Sequence, residues 1–416
     1  MKKLLVIGYV WPEPNSSAAG TRMLQLINIF QKQNYSVTYA SPAVLSEHMV
    51  DLEALNIKQA SIELNNSSFD SFVEVLNPDV VLFDRFMMEE QFSWRVDKVC
   101  PNAIKILEIV DLHCLRDARH QTLKNNISPY DLNNLDFHTD IAVREVASIL
   151  RCDLSIIISE VEVEILVNKY NVNKNILIYI PFMYQSLEPE ASIQQWPDYS
   201  ERQHFMTIGN FRHAPNWDSV LYLKNSLWPK IRSHLKNVEC HIYGSYPPKK
   251  AQQLHNPKQG FYIKGWAENA LDTLAQYRVC LAPLRFGAGM KGKLADAMLS
   301  GTPNITTSIG AESMYSDYEW PGYVSDNDES LISQTIELYR NESIWREKQS
   351  YIFPIVNNVF NQESNEIKLI EKFKEIEVSL EKHRNRHFTG KMLRHHTLKS
   401  AMYMSQWIEA KNKFKN

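Results

Sequence analysis

Residues 279–310 read VCLAPLRFGAGMKGKLADAMLSGTPNITTSIG, and no other stretch limits the possible folds so sharply. The run 279–284 is apolar, with Pro283 near its end, which suits a short buried parallel strand. Phe286-Gly287-Ala288-Gly289 then frees the backbone for a sharp turn. From Lys291 onward Leu294, Ala297 and Met298 recur at helical spacing, and Gly301-Thr302-Pro303 supplies a helix stop. A second strand follows at 304–307. Strand, turn, helix and strand in one short stretch form a βαβ unit, which commits the chain to an α/β fold with parallel strands.

A glycine turn opening onto a helix N-terminus is an anion site, because unpaired N–H groups and the positive end of the helix dipole face the same point. Gly287 and Gly289 shape that turn, and Lys291 and Lys293 add positive charge to it. Asp296, one turn further along, is placed to accept hydrogen bonds from vicinal sugar hydroxyls. Together these groups suit a nucleoside diphosphate. The plainer alternative is a tight turn with solvated lysines and an ordinary surface acid.

The same rhythm runs through the rest of the chain. Strands are expected at 3–9, 36–40, 80–84, 104–109, 153–159 and 176–180, with helices at 20–33, 142–150 and 160–170. The polar segment 125–139 reads as a mobile connection. The loop after the first strand, Trp11-Pro12-Glu13-Pro14 through Gly20, lies where open α/β sheets build their sites. After the strand 104–109 come Asp111-Leu112-His113, where an imidazole beside a carboxylate can orient a reacting hydroxyl; otherwise His113 caps a loop.

The rhythm restarts after a proline-bearing linker. This gives a first Rossmann-like domain at 1–180, a linker at 181–202, a second such domain at 203–356, and C-terminal helices with a basic tail at 357–416. In the second domain, strands are expected at 205–209, 239–243 and 260–264, with helices from just after Asp218 to about 235 and at 269–277. Arg212 follows the strand 205–209, and its planar donor fork matches phosphate. Trp266 is placed to stack on a base or simply to pack, and Glu312 to meet a sugar or start a helix. Asp326-Asn327-Asp328 lies far along the chain from these groups, so no metal site is assigned.

At 416 residues with 44% hydrophobic and 22% charged, the chain can fill two domain cores. A formal net charge of −3 gives no whole-molecule case for nucleic acid. The charge is unevenly spread, however: from Lys382 onward nine basic residues face one acid, Glu409, with Phe388, Met392, Tyr403 and Trp407 interleaved. Segment 382–416 thus suits peripheral contact with an anionic membrane, a partner-docking helix, or a solvated appendage. Five cysteines without a C-x-x-C pair, and no stretch of the roughly 20 apolar residues that span a bilayer, fit a reduced cytoplasmic protein.

Residues 283–310 resemble the donor-binding segment of the GT-B glycosyltransferases, specifically the retaining family 4 type, whose signature reads R-F-G-A-G-x-K-G-K followed by E-A-M-x-x-G-x-P. The resemblance implies two Rossmann-like domains with parallel sheets facing across a cleft. It also implies a nucleoside diphosphate sugar as donor, a hydroxyl acceptor, retention at the anomeric carbon, and no required cofactor or metal. By the same resemblance, polysaccharide, lipid-linked glycan or glycoconjugate synthesis is the setting. His113 would stand near the transferred sugar, and Arg212, Lys291 and Lys293 on the diphosphate. The glycine-rich first loop of the family corresponds to Ala18-Ala19-Gly20. Many family 4 members carry two glutamates, one near the sugar and one on the ribose; here the second is Asp296 and the first is Ala288. That departure keeps a non-catalytic nucleotide-binding partner subunit open, beside a nucleotide-sugar epimerase.

Overall fold

The computed structural model describes residues 1–413, apart from the side chains at 397, 398 and 401. Seven strands form one sheet: β1 (Lys2–Ile7), β2 (Tyr35–Ser41), β3 (Ile57–Ser61), β4 (Val80–Asp84), β5 (Ile104–Glu108), β6 (Leu154–Ile157) and β7 (Leu177–Tyr179). Six form the other: β8 (Gln203–Ile208), β9 (Cys240–Tyr243), β10 (Phe261–Gly265), β11 (Tyr277–Ala282), β12 (Asn304–Thr306) and β13 (Gly322–Val324). Their orders are β3-β2-β1-β4-β5-β6-β7 and β10-β9-β8-β11-β12-β13, and every pairing is parallel. Winding reverses between β1 and β4, and again between β8 and β11. Ligands of α/β sheets bind outside the carboxyl ends of strands at such reversals.

Eight helices carry the argument: α1 (Ala18–Lys32), α2 (Phe86–Val99), α3 (His113–Lys124), α4 (Asp140–Arg151), α5 (Glu160–Asn168), α6 (Gly292–Leu299), α7 (Gln362–Val378) and α8 (Phe388–Lys413). Sheet faces explain why β1 is apolar throughout. Leu4 and Val6 point to a core with Met23 and Leu26 of α1, while Leu5 and Ile7 point to another with Phe92 of α2 and Ile149 of α4. Burial on both faces stabilises each such side chain by about 1.5–3 kcal/mol.

The chain crosses between the domains twice, and the crossings touch: Tyr184 N–H donates to Phe360 O at 2.7 Å, and Gln362 N–H to Tyr184 O at 2.9 Å. Beyond the second crossing α7 returns to the first sheet, where Phe373 meets Phe30 edge to face at 5.4 Å. The last helix, α8, packs on α2 and α4.

Several elements differ from expectation for identifiable reasons. Segment 125–139 is a connection, but Leu135 and Phe137 anchor it in the first core. The helix expected after Asp218 starts earlier, at Ala214, and is interrupted by a π turn at Leu223–Leu227, just before Pro229, which has no N–H to give. Helix 269–277 is shorter, Ala270–Ala275, because Tyr277 already begins β11. The linker holds a short helix, Pro189–Gln195. In the basic tail, Arg384 and Arg394 are not free: both bind the buried Asp153 carboxylate, at 2.8 Å. Among the described residues, no helix is long and apolar enough to cross a membrane.

Candidate active site

The loop after β5 is held under strain. Val110, a β-branched residue, sits at φ +64°, and Asp111 N–H donates back to Ile109 O at 2.7 Å, closing a tight γ-turn. Such conformations persist where the surrounding structure overdetermines them, and they cluster at functional sites. Two residues on, His113 opens α3. The backbone N–H groups of His113 and Cys114 both donate to the Glu145 carboxylate, at 3.0 and 2.9 Å, so a side chain of α4 fills the anion position at this helix N-terminus. The imidazole Nδ1 lies 3.0 Å from Asp111 O and 3.2 Å from Glu145 Oε1. Facing two acceptors, Nδ1 is placed to donate. Burial alone would raise Asp111, but the contacting Arg116 guanidinium outweighs it and, with His113, holds the carboxyl below its usual range.

Opposite lies the glycine turn of the second domain. Gly289 adopts φ +63°, and a Cβ there would fall 2.8 Å from the Asp111 Cβ and 3.1 Å from Val110 O. Only glycine lets the two loops approach this closely. Glu162 of α5 binds both: its Oε1 accepts the N–H of Leu112 at 2.9 Å and that of Gly289 at 2.7 Å. Burial pushes the Glu162 carboxyl up to about 8. Arg119 of α3 forms the second tie, reaching Glu312 with two nitrogens at 3.0 and 2.5 Å and Gly287 O at 2.8 Å. The N-termini of α1 and α6 also abut, because a Cβ on Gly292 would lie 2.3 Å from the Ala18 Cβ. The structure is therefore closed, with two positive helix ends facing each other.

Lys291 and Lys293 flank the N-terminus of α6. The Lys291 ammonium donates to Ala288 O at 3.1 Å and also contacts Gly289 O. Lys293 Nζ donates to Asn216 Oδ1 at 2.8 Å, over the turn after β8. Burial lowers both from 10.5 to about 8. The Asp296 carboxyl, raised by burial to about 7, has no hydrogen-bond partner among the described residues. The two ammonium groups thus sit over the glycine turn and the turn after β8.

The remaining expected residues fall elsewhere. Arg212 is exposed at the rim, its guanidinium 3.7 Å from the Tyr246 ring centroid, and is not gathered with the lysines. Trp266 is covered by His48 of the first domain, stacked at 4.1 Å and 6°. Gly20 lies inside α1 rather than before it. A Cβ there would strike the Glu13 backbone at 2.6 Å, so its smallness serves the packing of its own loop. Glu312 is the partner of Arg119, just past a short helix, Ser308–Ala311. Asp326 caps Ser308 and Asp328 accepts from Tyr222, so that acidic pair has structural work. Sequence reading missed Glu162, Glu145 and Arg119. Ser159 and Glu162 do carry the S-x-x-E spacing of a capping box, but Glu162 turns away from it toward the other domain.

Comparison with known proteins now has geometry to rest on. Residues 202–341 match the family described as glycosyl transferases group 1. A TarM mutant from S. aureus, solved with Fondaparinux, alpha-GlcNAc-glycerol and UDP, superposes at a TM-score of 0.68 with 11% identity, over 90% of this chain and 100% of that one. The fold is GT-B. Sucrose-phosphate synthase from Thermosynechococcus elongatus gives 0.64 with 12% identity, over 90% and 99% of the two chains. HepE from Anabaena, solved with UDP and glucose, gives 0.62 with 12% identity, over 90% and 100%. No curated protein matches by sequence. The resemblance to GT-B glycosyltransferases read from 283–310 therefore holds, and the group 1 match covers the second GT-B domain.

The closed GT-B cleft makes Gly289→Ala informative. A side chain there is expected to prise the two loops apart while each domain keeps its fold. Small-angle scattering should show a larger radius of gyration, and melting should move only by the cost of one left-handed alanine, about 1–2 kcal/mol. An unchanged radius would mean that the Asp111 loop yields instead.

Proposed function

We propose that this protein transfers a sugar from a nucleoside diphosphate sugar to a hydroxyl acceptor, with retention at the anomeric carbon. The observation that carries the reading is the pair of cleft-facing lysines at the N-terminus of α6, opposite the His113 loop. The group 1 match of the second domain supports it, as do the UDP-bound TarM and HepE structures of the same fold. In this reading the bond between the anomeric carbon and the diphosphate oxygen breaks while the acceptor oxygen bonds to the same face of the sugar. The acceptor proton passes to the departing diphosphate. Lys291, Lys293 and the N–H groups of α6 stabilise the charge that develops there, donors fixed before the reaction begins. Asp296 takes the ribose hydroxyls, and His113 Nε2 orients the sugar or acceptor. Arg212 contributes only if it leaves Tyr246, and Trp266 reaches a base only if His48 withdraws. The reading asks for no metal or further cofactor.

Ala288 favours a second reading, a GT-B subunit that binds nucleotide without turnover. One experiment separates them. Nucleotide sugars are screened for thermal stabilisation, and any stabilising donor is assayed for release of nucleoside diphosphate with and without alcohol acceptors. Release supports transfer, whereas stabilisation with no release on any acceptor supports the subunit.

The pH profile follows from the lysines. Their folded pKa values lie below the ordinary 10.5, so the ammonium forms survive only below about 8. The kcat/KM of the free enzyme should fall as pH rises through that value. A profile that stays flat well beyond it would show that neither charge is needed.

A further inference from the structure

We propose that α8 docks the protein on an anionic membrane surface, lying flat with Phe388, Met392, Tyr403 and Trp407 at the acyl boundary and its lysines against lipid phosphates. The inner face of α8 is already committed to the first domain. Arg394 donates to Asp153 at 2.8 Å and to Arg151 O at 2.7 Å; Ser405 accepts from the buried Arg95 at 3.0 Å; Glu409 accepts from Ser67 at 2.6 Å. The opposite face is apolar and open. Phe388 and Met392, one turn apart, are 72% and 45% exposed, and Tyr403 and Trp407, again one turn apart, are 62% and 58% exposed. Four large side chains in line along a fixed helix are not the scatter of single apolar residues found on ordinary surfaces.

Charge selects the partner. Lys399 and Lys411 are exposed along the strip, and the Lys411 ammonium sits 4.9 Å over the Trp407 ring. The one acid of α8, Glu409, is turned inward and paired. A second copy apposed by symmetry would set lysine against lysine, whereas an anionic bilayer meets both the cations and the aromatic rings, which favour the water–lipid boundary. With Lys391, Arg394 and Lys399 along it, α8 lies on a bilayer and does not cross one. This inference does not depend on the transferase reading.

The test is co-sedimentation of the full chain with vesicles of phosphatidylcholine alone, or with phosphatidylserine added. Binding is expected only with the anionic lipid and should weaken with salt. Brominated acyl chains should quench fluorescence that is lost in Trp407→Phe. Phe388→Glu combined with Trp407→Glu should lower partitioning on the order of tenfold or more, and Lys399→Glu combined with Lys411→Glu should do likewise. All four sites are exposed, so melting curves should match the parent. No binding, equal binding to phosphatidylcholine alone, or binding indifferent to both double variants would overturn the proposal. So would a doubled mass without vesicles that Trp407→Glu abolishes, which would give the strip to a second copy.

Discussion

Lys291→Ala should cut donor-dependent turnover by about 10²–10³, equivalent to about 2.7–4 kcal/mol of lost transition-state stabilisation, while the protein melts no lower than its parent. The two halves of this expectation have one cause. Burial depresses the Lys291 ammonium to about 8, so near neutral pH the fold holds a cation it would rather lose. Between the folded value and the ordinary 10.5 the unfolded chain binds more protons, and stability rises with pH. Removing the charge therefore does not weaken the fold, whereas on the transferase reading it takes a counter-charge from the departing diphosphate. Kinetics set against thermal melting would decide the matter. A variant that melts lower and turns over normally would make Lys291 a packing residue and leave the transferase reading without its main support.

Asp153→Ala should be among the most damaging single changes to stability, about 3 kcal/mol, although it lies far from the cleft. Its carboxylate is fully buried and accepts from Arg384, Arg394 and the Lys105 N–H. Burial alone would raise its pKa, but the two guanidiniums hold it well below the usual carboxylate range. Truncation leaves both arginines without their carboxylate, with only the carbonyls of Pro101, Ala103 and Arg151 still accepting from them. The cost stays at the lower end for broken buried pairs because Arg384 and Arg394 keep 19% and 18% of their side-chain surface in water and can relax. Since the folded pKa is depressed, the contribution is complete above the unfolded value of about 3.9 and fades as pH falls below it. Denaturant titration of parent and variant should differ near neutrality and converge in acid. Limited proteolysis should open 380–413 first, because the same carboxylate ties that segment down.

What could be read from the sequence was set by where neighbours lie along the chain. Strands β1, β4 and β11 are continuous apolar runs buried on both faces, a pattern that needs no partner to be recognised. Helix α2 escaped notice because its buried side carries Glu89 and Arg95, paired with Arg151 and Asp70, which breaks the apolar period. The glycine turn, Lys291 and Lys293 were legible because one βαβ unit holds them all. Glu162 and Arg119 were not, since each acts on a residue 127 or 193 positions away in the other domain. Arg212 shows the converse: its place after β8 was legible, whereas its stacking on the ring of Tyr246 was not.

The pairing of Tyr184 with Phe360 and Gln362 has a mechanical corollary. Both passages of the backbone between the domains share a single post, so opening is a swing about one hinge line and not a free separation. The contacts that lie farthest across the sheets from the post, His48 on Trp266 and Tyr246 with Glu13, are the ones such a swing parts widest.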